Sequence, residues 1–175
     1  ERVHKAFDTL ADALLVLVPR HPQRFDEVAE LLQQQGLRSV RRSVAMPTAD
    51  TQVWLGDSMG EMAAYFTLAD LAFIGGSLLP LGGQNLIEAA ACDCPVVVGP
   101  HTYNFKQATE DAIAAGAAIR VDSPEMLAAT VNRIFGQKTK LAEMRNAAGL
   151  FARAHQGAAG RMLGLIARWM DPAAR

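Results

Sequence analysis

Apolar positions along the chain follow two alternating patterns. Short continuous apolar runs, typical of strands buried on both faces, alternate with stretches whose apolar residues recur every three or four positions, as on one face of a helix. A helical pattern over Glu1 to Ala11 leads into "ALLVLV" (13–18), the first strand-like run. "HPQRFDEVAELLQQQG" then reads as a helix, with Pro22 suited to its first turn and Gly36 to its C-terminal cap. "SVRRSV" and "VWLG" read as strands around a polar connection, "MGEMAAYFTLA" as a helix and "LAFIGG" as a buried strand. "QNLIEAAACD" is helical, "PVVVG" a strand, "NFKQATEDAIAAG" a helix and "AAIRV" the last strand. Ser123 is placed to cap a helix opened by Pro124-Glu125, and helical patterns run on to Trp169 through breaks at Gly136 and Gly157–Gly160.

Strands alternating with helices predict a parallel sheet covered on both faces, a Rossmann-like, doubly wound α/β domain. The chain is expected to hold one such core over residues 1–156 and a helical tail over 157–175. It opens in a helix where a domain of this class opens in a strand. That predicts a first strand with its loop, and a preceding domain, outside this chain.

Composition narrows the class. Of 175 residues, 50% are hydrophobic and 20% charged, as in a soluble globular domain. No charged-then-apolar leader opens the chain, and no apolar run is long enough to span a bilayer. Cys92 and Cys94 form no disulfide framework and lack a second ligand pair for zinc, so they read as small buried residues in a reducing compartment. His4, His21, His101 and His155 have no metal-ligand spacing, and no Asp-x-Asp pair is present, so no metal or cofactor is expected. The net charge of −1 hides an uneven distribution: residues 133–175 hold eight Lys/Arg against two acids. Such an end is a solvated helix face or faces phosphate, in nucleic acid or anionic lipid. With only 6% aromatic residues and none interleaved with the basic ones, a nucleic-acid platform is not expected.

In doubly wound sheets the ligand lies beyond the carboxyl ends of the strands, on the loops that lead into helices. Three such loops stand out: "VPRHP", "GDSMGE" and "GGSLLPLGGQN". In the third, Gly82-Gly83 allows a tight turn and a close approach of backbone to a ligand. A helix starting near Gln84 would aim free N–H groups at that space, and Glu88, one turn in, would accept bonds from sugar hydroxyls rather than face a phosphate. The same residues also suit a plain turn and a helix whose glutamate only favours the positive dipole end. In the first loop, Arg20-His21 offers a forked guanidinium for phosphate, or simply an exposed arginine. In the second, Asp57 or Ser58 is expected to cap the helix, with Glu61 completing a capping box with Ser58 around Met59-Gly60. What sets the three apart is their coincidence at strand ends of one sheet. Neither the dinucleotide glycine fingerprint nor the P-loop is present.

"VPRHPQRF", "GDSMGEM", "ADLAFIGGSLLPLGGQNLIEAAA" and "PVVVGPHTYNF", in this order from about Val16 to Phe105, resemble the carboxy-terminal half of the bacterial Kdo transferases. These enzymes move 3-deoxy-D-manno-octulosonic acid (Kdo) from CMP-Kdo to the lipid A precursor in lipopolysaccharide assembly. The resemblance implies the nucleotide-sugar-binding half of a GT-B glycosyltransferase that works at the cytoplasmic face of the inner membrane. It implies that Pro19, Arg20 and His21 line the CMP pocket and that Met59, Gly60 and Glu61 set backbone against cytosine. It implies further that Gly83, Gln84, Asn85, Leu86, Ile87 and Glu88 meet phosphate and ribose, with Arg20 and Asn85 steadying the leaving group. By the same resemblance the catalytic base belongs to an amino-terminal acceptor domain, so this chain is expected to bind CMP-Kdo without transferring sugar.

Two departures from the family pattern stand in the chain. Gln84 occupies a histidine's place and Ala89 a proline's, and a glutamine hydrogen-bonds but carries no charge. His101, Asn104 and Phe105 of "GPHTYNF" fit the pattern and are expected to do no more than close the turn after a strand. The basic end is expected to pack on the amino-terminal domain or to lie against an anionic membrane surface. Two other readings stay open at this stage: another GT-B nucleotide-sugar enzyme, such as a UDP-sugar transferase or epimerase, and a non-catalytic nucleotide-binding α/β module.

Overall fold

A computed structural model of the chain describes residues 13–155; the helix expected over Glu1 to Ala11 and the tail from Gly157 lie outside them. The strands are β1 Leu15–Leu17, β2 Ser39–Arg41, β3 Val53–Leu55, β4 Ala72–Phe73, β5 Val96–Val98 and β6 Ala118–Arg120. The helices are α1 Phe25–Gln34, α2 Met62–Leu68, α3 Leu86–Ala91, α4 Lys106–Ala114, α5 Pro124–Phe135 and α6 Lys138–His155. All the strand pairings are parallel, as the alternating pattern requires. They form two three-stranded ladders, ordered β1-β3-β2 and β4-β5-β6, in place of the single hydrogen-bonded sheet expected, because β4 is only two residues long and, among the described residues, no pairing joins it to the first ladder. The short β4 is cut off after Phe73 ahead of Gly75-Gly76 and pairs with β5 alone.

The clearest parallel-strand signal, "PVVV", is buried on both faces. Val96 and Val98 pack into a cluster with Leu86, Ala89 and Ala90 of α3, Ala112 of α4 and Ala148, Phe151 and Ala152 of α6. Val97 points the other way, to Val121, Leu127, Ile134 and Met144. Each valine so buried contributes about 1.5–3 kcal/mol by leaving water. The other ladder has its own core, where Val28 and Leu32 of α1 cover Val53 and Leu55 of β3. Trp54, on the opposite face of β3, meets the edge of Tyr65 with ring centroids 5.6 Å apart.

The expected helix signals are placed as follows. Gly36 adopts φ +68°, and Leu37 N–H reaches back to the Leu32 carbonyl at 3.1 Å, closing α1 with a left-handed cap. Ser123 Oγ accepts from Met126 N–H at 3.1 Å, capping α5. Cys94 is buried, and burial pushes its thiol up to about 11. Cys92 differs from the expectation: it sits at the end of α3, half-buried, with Sγ 3.6 Å from the Ala63 carbonyl. No helix among the described residues is long and apolar enough to cross a membrane.

Candidate functional site

Parallel pairing puts the loops after β1 and β3 on one rim of the first ladder, and those after β4 and β5 on one rim of the second. A side-chain hydrogen bond joins the first and third of the predicted loops: Arg20 Nη1 donates to Gln84 Oε1 at 2.5 Å. Arg20 is exposed, so its remaining guanidinium donors are open to an anion. Pro19 is half-buried beside it, and exposed His21 gives its carbonyl to Arg24 N–H at the start of the 3-10 turn Pro22–Arg24.

The second loop is held from another direction. Asp57, the buried residue after Gly56, accepts Arg41 Nε at 2.6 Å, Ser43 N–H at 2.8 Å and Ser43 Oγ at 2.5 Å. Arg41 also donates to Asp26 at 2.6 Å. Burial alone would push the Asp57 carboxyl up, but the hydrogen bonds from Ser43 and Arg41 outweigh it and hold the group down at about 2. Glu61 accepts Arg42 Nη2 at 3.1 Å and the Ser58 hydroxyl, and Ser58 also lies 3.1 Å from the Tyr65 hydroxyl. The expected capping box is therefore corrected. α2 begins at Met62 with Glu61 itself at the N-cap, without a side-chain cap bond, and Ser58 and Glu61 join side chain to side chain. Asp57 turns away from the helix because a carboxylate at that depth needs the donors of Arg41 and Ser43. Met59, at 64% exposure, and exposed Gly60 stand at the tip.

Arg41, Arg42 and Ser43 were read only as part of a strand. They follow the same rule as the predicted loops, since they stand at the carboxyl end of β2, and two adjacent arginines there were a usable signal.

In the third loop, helix α3 starts at Leu86, two residues later than expected, because Asn85 is its N-cap: Asn85 Oδ1 accepts Ile87 N–H at 3.0 Å. Asn85 also donates through Nδ2 to Glu88 Oε1 at 3.0 Å, while the exposed carboxylate keeps its other oxygen. Leu86 is fully buried in the core and Ile87 packs against it, so only their backbone is available to a ligand. Gly83 is buried, and Gln84 is half-buried and engaged by Arg20. The loops that bear Arg20 and Gln84–Glu88 are thus brought together. The polar side chains of the second loop pair instead with Arg41, Arg42, Ser43 and Tyr65.

The profile of the family described as Glycosyl transferases group 1 matches residues 28–151 of the chain. A 3-deoxy-D-manno-octulosonic acid transferase of Bordetella pertussis is 46% identical over 159 residues, and one of Haemophilus influenzae is 37% identical over 160. Both alignments take in 90% of this chain but only 37% and 38% of those relatives, so the chain spans well under half their length. Among solved structures, the chain is similar to the C-terminal CMP-Kdo binding domain of WaaA from Acinetobacter baumannii. The two share a TM-score of 0.80 and 31% identity over 86% of this chain and 79% of that one. Sequence and structure thus bear out the resemblance to the carboxy-terminal part of the Kdo transferases.

Proposed function

The chain belongs to the family of group 1 glycosyl transferases, and from that premise we propose that it is the CMP-Kdo-binding, carboxy-terminal domain of a Kdo transferase. The observation that carries this reading is the fold match to a CMP-Kdo binding domain at a TM-score of 0.80 and 31% identity. The contact between Arg20 and Gln84 supports it, because it sets a fixed cation beside the start of α3, on the rim where such folds take their ligands.

In this reading Pro19, Arg20 and His21 form one wall of the CMP pocket. Met59, Gly60 and Glu61 offer backbone groups to the cytosine edge, held in place by the salt bridge from Arg42 to Glu61. Gly83 to Glu88 form the other wall: Gln84 and Asn85 meet the phosphate, backbone groups of Leu86 and Ile87 flank it, and the free oxygen of Glu88 takes the ribose hydroxyls. When an acceptor hydroxyl attacks the anomeric carbon of Kdo, the bond to CMP breaks and negative charge gathers on the departing phosphate. Arg20 and Asn85 lower that barrier by being in place beforehand. The base that deprotonates the acceptor belongs to an amino-terminal domain, and the acceptor is the lipid A precursor at the cytoplasmic face of the inner membrane. The 175-residue chain therefore binds nucleotide without transferring sugar.

The test is a parallel titration with CMP and UMP, by calorimetry or amide shifts, of the wild-type chain and Glu88→Ala. Saturable CMP binding that is weaker in the variant, by about tenfold for a lost charged hydrogen-bond acceptor, is the expected result. Preference for UMP would move the chain to a UDP-sugar enzyme, and binding of neither nucleotide would sink the reading.

A further inference from the structure

The loop after β5, from Gly99 to Phe105, does more than close a turn. Gly82 and Gly83 are consecutive residues at φ +86° and +72°. Glycine visits both signs of φ with little preference, so such a pair has no conformation of its own to keep. Something outside it must hold it if Gln84 and Asn85 are to stay aimed at one point.

Gly76 supplies part of that hold, its carbonyl accepting Gly83 N–H at 3.1 Å, and two residues of the loop after β5 supply the rest. Tyr103 donates its hydroxyl to the Pro80 carbonyl at 2.8 Å. Asn104 donates its backbone N–H to the Gly82 carbonyl at 3.1 Å and its side-chain amide to the Leu81 and Gly83 carbonyls, both at 3.3 Å. An Asn amide has two hydrogens, so both side-chain bonds can form at once. Four consecutive carbonyls, residues 80 to 83, are thus fixed from Tyr103 and Asn104. A Cβ on Gly82 would run into the Asn104 side chain and the Tyr103 ring, so the glycine leaves room for the clamp. The two loops are also riveted at their base, where buried Ser77 Oγ accepts Gly99 N–H at 2.8 Å and the Ser77 carbonyl accepts His101 N–H at 2.9 Å. Tyr103 is 60% exposed and Asn104 is exposed, so neither contributes much to the core.

We propose that Tyr103 and Asn104 are positioning residues, which hold the backbone of residues 80–83 so that Gln84 and Asn85 are presented to the nucleotide phosphate. They act without touching the nucleotide. The proposal rests on the reading of this rim as the CMP site and deepens it.

The test uses the full chain and three variants, Asn104→Ala, Asn104→Asp and Tyr103→Phe, each examined first without ligand. Backbone amide shifts at Gly82 to Asn85 are expected to move in all three, and amide exchange at Gly83 to speed up, while Val53 to Asp57 stay unchanged. Unmoved resonances at 82–85 would overturn the clamp whether or not any nucleotide binds. CMP is then titrated. Asn104→Ala and Asn104→Asp are both expected to weaken binding about tenfold, and Tyr103→Phe about two- to threefold, by the usual worth of one or two hydrogen bonds. Asn104→Asp keeps the size of the side chain but removes its donors, so affinity equal to wild type in that variant would overturn the positioning role. If wild type itself does not bind CMP, the nucleotide reading fails, and the clamp still stands or falls on the ligand-free resonances.

Discussion

The second and third loops of the candidate site are fixed by opposite means. The loop around Met59 hangs on charge: Asp57 on Arg41 and Ser43, Glu61 on Arg42 and Ser58. The loop from Pro80 to Gly83 is held by backbone carbonyls, a phenol, an amide and an empty Cβ position, with no carboxylate or cationic side chain among these contacts. The first kind of hold is stiff where it is buried but answers to acid. The second is indifferent to acid and depends on shape. In the proposed reading the second loop receives a base and the third a phosphate, and a phosphate loop held without carboxylates would not repel its ligand. Glu88 is the carboxylate nearest to that rule's limit, and Asn85 engages one of its oxygens.

If shape holds the third loop, shape is what breaks it. A Cβ on Gly99 would meet the backbone of Ser77 and the Leu78 nitrogen, and main chain has no rotamer with which to yield. Gly99→Ala is expected to cost about 3 kcal/mol or more, the upper range for forced overpacking, and to displace residues 77–83 with it. Thermal or urea unfolding reads the cost. A variant as stable as wild type would show that the loops are not held by close approach.

If charge holds the second loop, the next largest effect falls at Asp57. Asp57→Ala leaves the Ser43 N–H without its acceptor and Arg41 with Asp26 alone, and is expected to cost about 2 kcal/mol. The loss should appear at the Met59 loop as shifted amides from Ser43 to Glu61. Equal shifts at Gly82 and Gly83 would break the contrast between the two loops.

Acid separates the same two regions without mutation. The Asp57 carboxyl is lowered from 3.8 to about 2 in the folded chain. A depressed carboxyl adds stability that is complete above its unfolded value and is lost as pH falls through the folded one, here between about 4 and 2. The whole contribution is about 2 kcal/mol, of which about 1 kcal/mol is gone by pH 3. The Ser43 amide is expected to titrate with a midpoint near that of Asp57, while Gly82, Gly83 and Asn104 hold their shifts. A Ser43 amide that titrates near the ordinary aspartate value would mean that the network around Asp57 does not lower it.

Much of this arrangement was legible in the residues alone. The strands came from continuous apolar runs, because a strand buried on both faces has no polar side to alternate with; Val96 to Val98 behave in that way. Gly36 and Ser123 announced their caps because each has a local chemical reason to be there. The sequence placed Arg20 and Gln84 at strand ends expected in one sheet; they follow strands of two different ladders, and their direct contact needed the fold. Residues that act on something distant were harder. Asp57 and Ser58 looked like helix caps because capping is a local pattern, whereas the partner of Asp57 lies across the ladder on β2. Tyr103 gave no local signal, and Asn104 stood out only through the family pattern of its loop: their acceptors are carbonyls, which every residue carries, so composition does not mark the pairing.

The smallest effect is the one most able to tell the two ways of reading Ser58 apart. As an N-cap, Ser58 would cost about 1 kcal/mol on mutation to Ala, and α2 would fray from its start. In the structure its hydroxyl instead spans from Glu61 to Tyr65, in a half-buried spot where Arg42 still pairs with Glu61 after the change. Ser58→Ala is therefore expected to lower stability by only about 0.5 kcal/mol, the low end for a partly exposed hydrogen bond. Amide exchange at Met62 to Ala64 should stay as in wild type, while the Met59 and Gly60 amides shift because the loop tip loses its tether. Faster exchange across the first turn of α2 would restore the capping role to Ser58. A silent Met59 and Gly60 would leave Arg42 as the residue that sets the tip, and Arg42→Gln would then have to move it.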